Sequence, residues 1–85
     1  LNISRLESWE NGNTKYALEI KKLNVIATLI NDRNFQDEME IRVTKGNERF
    51  SIRGHKVIMN AFTFEDFKNR VLYHLRRNEL LRSSN

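Results

Sequence analysis

The sequence predicts a small α+β domain in two layers, a three-stranded antiparallel sheet packed against two helices in the order α-β-β-β-α. Three observations carry this expectation. Residues 40–53 alternate apolar and polar side chains about Gly46-Asn47, the period of two of a half-buried strand. Residues 63–78 repeat apolar side chains at helical spacing behind Thr63. The 85-residue chain has no proline and only three glycines, which argues against a disordered or linker-rich segment.

Taken in order, Ser4 to Glu10 reads as a short helical lead-in with Leu6 and Trp9 on one face, ended by Asn11-Gly12-Asn13. Thr14 to Asn31 supports two readings. As a helix, Tyr16, Ile20, Leu23, Ile26, Ala27 and Ile30 form one stripe, with Asn13 or Thr14 as the N-cap. As strands, Tyr16, Leu18 and Ile20 alternate with Ala17, Glu19 and Lys21. The alternative fold is then a larger antiparallel sheet covered by a single C-terminal helix. Eighteen residues without a second turn signal favour the helix over a strand, whose usual length is about five or six. Asp32 to Asp37 follow as a polar loop in which Phe35 packs down.

The hairpin comes next. Gly at the first central position suits a two-residue type II′ turn. That turn sets Lys45 opposite Glu48, Thr44 opposite Arg49, Val43 opposite Phe50, Arg42 opposite Ser51, Ile41 opposite Ile52 and Glu40 opposite Arg53. Ile41, Val43, Phe50 and Ile52 then share one face, and Arg42, Arg49 and Arg53 the other. Gly54-His55 forms a bend, and Lys56 to Phe62 reads as a third strand, so the predicted strands are about 38–45, 48–54 and 56–62. The predicted helices are 14–31 and 63–78. In the second, Glu65 and Asp66 open the first turn and Arg70, Arg76 and Arg77 lie toward the end, as the helix dipole favours. Phe64, Phe67, Val71 and Leu75 form its buried stripe and Leu72 widens it. Leu80 and Leu81 continue as an apolar tail, and Ser83-Ser84-Asn85 is expected to fray.

Composition bounds the function. We read residues 1–85 as one domain, and a first residue of Leu1 rather than Met suggests that it is cut from a longer protein. The absence of cysteine excludes disulfides and thiolate metal sites and fits an intracellular setting, cytoplasm or nucleus. No apolar run approaches a membrane span. The net charge of +4 is uneven. Residues 1–41 carry five Lys/Arg against seven Asp/Glu, and residues 42–85 carry ten against four. Attraction to an anionic partner would concentrate in the second half.

No motif calls for catalysis, a metal or a cofactor, so a non-enzymatic protein is expected. His55 has no second ligand at zinc spacing, and His74 reads as a boundary residue bonded to a backbone carbonyl. Asp37, Glu38 and Glu40 lack the ligand pattern of a calcium loop. Two basic surfaces remain. The first is Arg42, Arg49 and Arg53, flanked by Lys45 and Lys56 and tempered by a surface Glu40–Arg53 pair. The second is the helical stripe Arg70, Tyr73 and Arg77, with Arg76 beside it. Both suit nucleic acid, held mainly through phosphate, and both also suit an acidic protein surface. The other expectations are a protein-interaction or dimerisation domain using Trp9, Leu80 and Leu81, and weak binding to anionic lipid.

The predicted α-β-β-β-α order is similar to that of the double-stranded-RNA-binding domain. The final helix of that family begins with a lysine cluster that grips phosphates. Here the matching place is the acidic run Phe64-Glu65-Asp66-Phe67, so the resemblance implies a fold and not that function. The spacing of Phe64, Phe67, Arg70, Val71 and Leu75 also looks like the end of kinase-associated lipid-binding domains.

Overall fold

The hairpin forms in the register that its turn dictates. In the computed structural model, which describes residues 2–7, 13–32 and 34–80, all six expected pairs from Lys45–Glu48 to Glu40–Arg53 lie opposite each other. Gly46 sits at φ +59° and Asn47 does not share the positive region, as a type II′ turn requires. The two strands, β4 (Glu38–Lys45) and β5 (Glu48–His55), extend the pairing to Met39–Gly54 and Glu38–His55. Both ranges match the expected strands closely.

Residues 14–31 are not a helix. They form two strands, β2 (Thr14–Ile20) and β3 (Val25–Ile30), joined by a 3-10 turn over Lys21–Leu23. Asn24 closes that turn in the left-handed region at φ 57°, ψ 46°, a conformation that asparagine tolerates better than other non-glycine residues. Lys21-Lys22-Leu23-Asn24 is the turn signal that the helical reading overlooks. β3 conceals its own period because it carries apolar residues on both faces: Val25, Ala27 and Leu29 point to the core, and Ile26 and Ile30 flank Thr28 on the other side. Such a strand reads as a continuous apolar run.

The lead-in also differs. Ser4–Arg5 is a short strand, β1, paired with Glu19 and Leu18 of β2; the Leu6 N–H donates to the Ala17 carbonyl at 2.9 Å, and residues 8–10 of that predicted helix, including Trp9, lie outside the described residues. Among the described residues the sheet therefore has five antiparallel strands in the sequential order β1-β2-β3-β4-β5. Lys56 to Phe62 is not a third strand of the hairpin sheet. It begins as a short helix, α1 (Lys56–Asn60), in which His55 Nδ1 accepts a hydrogen bond from the Val57 N–H at 3.2 Å. The physical reason is chain reversal. Strands ending at 54 and starting at 56 leave a single connecting residue, and a hairpin needs at least two. Helical spacing buries Met59 and leaves Val57 and Ile58 73% and 62% exposed.

The main helix, α2 (Phe64–Arg77), agrees with expectation. Thr63 Oγ1 accepts from the Asp66 N–H at 3.1 Å and Asp66 Oδ2 accepts from the Thr63 N–H at 2.9 Å, a reciprocal capping box. Phe67, Val71 and Leu75 are fully buried, and Phe64 and Leu72 flank them. At the other end Glu79 takes φ 58°, and the Leu80 N–H reaches the Leu75 carbonyl at 2.8 Å, seating Leu80 against the core.

The fold is thus the alternative one: a larger antiparallel sheet with one main helix and one short one on a single face. The core lies between Leu18, Ile20, Val25, Ala27, Leu29, Met39, Ile41 and Val43 of the sheet and Met59, Phe67, Val71 and Leu75 of the helices. A strand now stands where the double-stranded-RNA-binding domain has its first helix, so that resemblance ends with the topology. No helix among the described residues is long and apolar enough to cross a membrane.

Candidate functional site

The predicted basic residues fall into separate groups. Arg42, Arg49 and Arg53 project from the face of the sheet that the helices leave open, as the hairpin register requires. Their charge is far from free. Glu40, on the same face, is only 4% exposed. It was expected as half of a surface pair, but it is a buried carboxylate held by two arginines. Arg42 Nε donates to its Oε2 at 2.8 Å, and Arg53 Nη2 lies 3.4 Å from its Oε1. Arg53 also reaches Glu38 at 3.9 Å and stacks on Phe35 with its guanidinium 3.8 Å from the ring centroid. Phe35 therefore packs sideways onto an arginine and stays 39% exposed, where a buried contact was expected. Arg49 alone of the three has no carboxylate partner among the described residues. With Arg42, Thr44 and Ser51 it lines a shallow groove of about 400 Å³.

Lys45 does not join this face. Its ammonium donates to the Leu23 carbonyl at 3.0 Å, tying the hairpin turn to the β2–β3 turn. Lys56 opens α1 and is half-buried. Arg70, Tyr73 and Arg77 lie on the outer side of α2; Arg70 shares the walls of one cleft with Arg53, while Arg42 and Arg49 line a different groove. Arg77 Nη1 donates to the Tyr73 hydroxyl at 3.1 Å. That bond and the adjacent charge lower the tyrosine's pKa and raise the arginine's. Arg70, Arg76 and Arg77 have no carboxylate partner among the described residues.

His74 is partly buried beside this stripe, 5.1 Å from the Tyr73 ring centroid and edge-on to it. Its Nε2 is buried without a hydrogen-bond partner, so the expected bond to a carbonyl is absent. Desolvation, then Arg70 and Arg77, hold its pKa below the ordinary imidazole value. No cluster of His, Cys, Asp and Glu among the described residues could hold a metal ion. Of the expected dimer contacts, Leu80 is half-buried on the core, while Trp9 and Leu81 lie outside the described residues.

A feature that the sequence reading hides stands at the end of the sheet. Because 56–62 turns away as a helix, β5 is left as an edge strand. A two-residue turn makes Lys45–Glu48 a hydrogen-bonded pair, and bonded pairs then recur at 43–50, 41–52 and 39–54. The Lys56 N–H to Asp37 carbonyl bond, at 2.8 Å, continues the same phase. The backbone N–H and C=O groups of Arg49, Ser51 and Arg53 consequently point away from β4. None has a protein partner among the described residues. Beside this edge, on the helix side, a cleft of about 210 Å³ is lined by Ile52, Ile58, Met59 and Phe62, with His55 and Arg70 also on its walls. Arg70 lies 5.7 Å from the Phe62 ring centroid. The one sequence signal for this edge is the missing loop between 54 and 56.

Comparison with known proteins adds no relative: no protein-family model, curated protein or solved structure matches the chain.

Proposed function

We propose that this domain is a non-enzymatic interaction module that holds a protein partner along the open edge of its sheet. What supports the reading is β5. It is eight residues long, regular, and bordered by an apolar cleft and by the exposed Val57 and Ile58. An edge with unpaired backbone groups is a template for another strand, and proteins usually blunt it with prolines, bulges or a covering segment. The β4–β5 pairing carries no register shift, and the chain has no proline. The test is selection of a displayed random-peptide library on the folded domain and on Ser51→Pro. Proline removes the outward N–H at the centre of the edge, and an edge strand tolerates it there. Segments that bind the parent domain and lose Ser51→Pro, with the circular-dichroism melt retained, are the expected result. No enrichment, or enrichment indifferent to the substitution, overturns it.

A second reading, nucleic-acid binding through phosphate, is favoured by a different observation. On the hairpin the ion pairs of Glu40 with Arg42 and Arg53 weaken it, because a phosphate would compete with a carboxylate already in place. On α2 the guanidinium groups of Arg70, Arg76 and Arg77 have no such competitor, and Tyr73 offers a ring 45% exposed for stacking.

A further inference from the structure

The edge strand also specifies what would pair with it. We propose that β5 accepts an extended peptide segment whose side chains alternate between an acidic face and an apolar one, with an acid opposite Arg49 and apolar residues opposite Phe50 and Ile52. This rests on the strand-edge reading above and adds the chemistry of the partner.

A strand added beside β5 would bond to the outward backbone groups of Arg49, Ser51 and Arg53. Its residues opposite those three share the open face of the sheet, and its residues opposite Phe50 and Ile52 share the helix side. On the helix side Phe50 and Ile52 are half-buried, and the cleft of about 210 Å³ lies beside Ile52 with Met59 and Phe62 in its wall. An apolar side chain entering there would cover surface that the domain leaves open. On the open face the decisive residue is Arg49. Its cross-strand neighbour on β4 is Thr44, so nothing on the bonded side neutralises it. Arg53 is already held by Glu38, Glu40 and Phe35, so the position opposite it is less selective.

β4 itself shows the match from the inside. It sets Ile41 and Val43 against Ile52 and Phe50 and Glu40 against Arg53. A partner of similar pattern would repeat that on the outside. A second copy of β5 would not. Antiparallel self-pairing about Ser51 sets Arg49 against Arg53 twice, and like charges directly opposite each other destabilise a ladder. The arginines therefore discourage edge-to-edge self-association while favouring an acidic strand.

The experiment is fluorescence polarisation with synthetic labelled peptides long enough to span β5, alternating valine with either glutamate, threonine or lysine, and amide mapping by two-dimensional NMR. The glutamate peptide is expected to bind at least about tenfold tighter than the lysine peptide. It should perturb the amides of Arg49, Ser51 and Arg53, and Arg49→Glu should reverse the preference. Backbone N-methylation of the glutamate peptide at its bonding positions should abolish binding, a control that leaves the protein unaltered. Equal binding of all three peptides at those amides overturns the acidic preference and leaves the strand-edge reading standing. Perturbations confined to α2, binding that survives N-methylation, or no binding by any peptide overturns both.

Discussion

His74 makes the folded domain sensitive to mild acid. Its Nε2 is buried unpaired, and desolvation with Arg70 and Arg77 nearby favours the neutral ring in the folded state. The unfolded chain, with an ordinary imidazole, binds the proton first as pH falls. Stability from this group is complete above the unfolded pKa, drains away below it, and levels off once the lowered folded pKa is passed. Asp66 is also lowered, chiefly by the Thr63 backbone and side-chain hydrogen bonds of the capping box, so its contribution is lost only in the carboxylate range further down. The substitution His74→Leu removes the first step and keeps the second. It also removes an unpaired polar atom, whose burial costs about 1–3 kcal/mol when complete. The half-buried ring carries only part of that. Stability at neutral pH is therefore expected to stay level or rise by up to about 1 kcal/mol. Urea titrations at neutral pH and at about pH 5 check both parts, since the variant is expected to lose less stability between them than the parent.

At the scale of elements, legibility followed the number of independent signals on each segment. In α2 the Thr63–Asp66 capping box, the Phe67–Val71–Leu75 stripe and the basic last turn agree, and in β4–β5 strict alternation and a glycine turn agree. Both formed as read. β2–β3 was obscured because β3 is apolar on both faces and its turn is marked by Asn24 instead of glycine. Residues 56–62 were obscured because a short apolar run fits either period, and tertiary packing decided it through Met59. The site inherited these limits. The outward aim of Arg42, Arg49 and Arg53 follows from register alone, but β5 becomes an edge only if 56–62 is not a strand. Where β5 meets α1, Gly54 packs against Met59: a Cβ there would lie 2.6 Å from Met59 Sδ and 3.2 Å from its Cγ. Gly54→Ala is therefore expected to cost about 1–3 kcal/mol by overpacking, and Met59→Ala about 2–5 kcal/mol by leaving a cavity. In the double variant the added methyl occupies part of the vacated space. A double-mutant cycle in urea should find the pair less destabilised than the sum by at least about 0.5 kcal/mol. Strict additivity would mean that the added methyl and the Met59 side chain do not compete for the same space.

For the whole molecule, the distribution of charge matters more than its sum. A net charge of +4 suggests a polyanion, yet Arg42 and Arg49 line a groove on the open face of the sheet, Arg76 and Arg77 lie on α2, and part of the hairpin set is already neutralised. A duplex lying along α2 can reach Arg70, Arg76 and Arg77 but not Arg42 and Arg49 across the sheet. Each phosphate contact contributes a log–log salt slope of roughly −0.9 on duplex DNA, so three give about −2.7, and all the lysines and arginines of the two predicted surfaces together would give about −7. Titration of a labelled duplex over a range of salt is expected to show the shallower slope if the second reading holds. Arg70→Gln, Arg76→Gln and Arg77→Gln together should remove the binding, while Arg42→Gln with Arg49→Gln should leave the slope in place. Glu40→Gln sharpens the contrast, because it releases Arg42 and Arg53 from their shared carboxylate. If that variant alone steepens the slope, the open sheet face can bind phosphate and Glu40 restrains it. No affinity in low salt for the parent or for Glu40→Gln would remove nucleic acid from consideration and leave the arginines of β5 to the peptide edge.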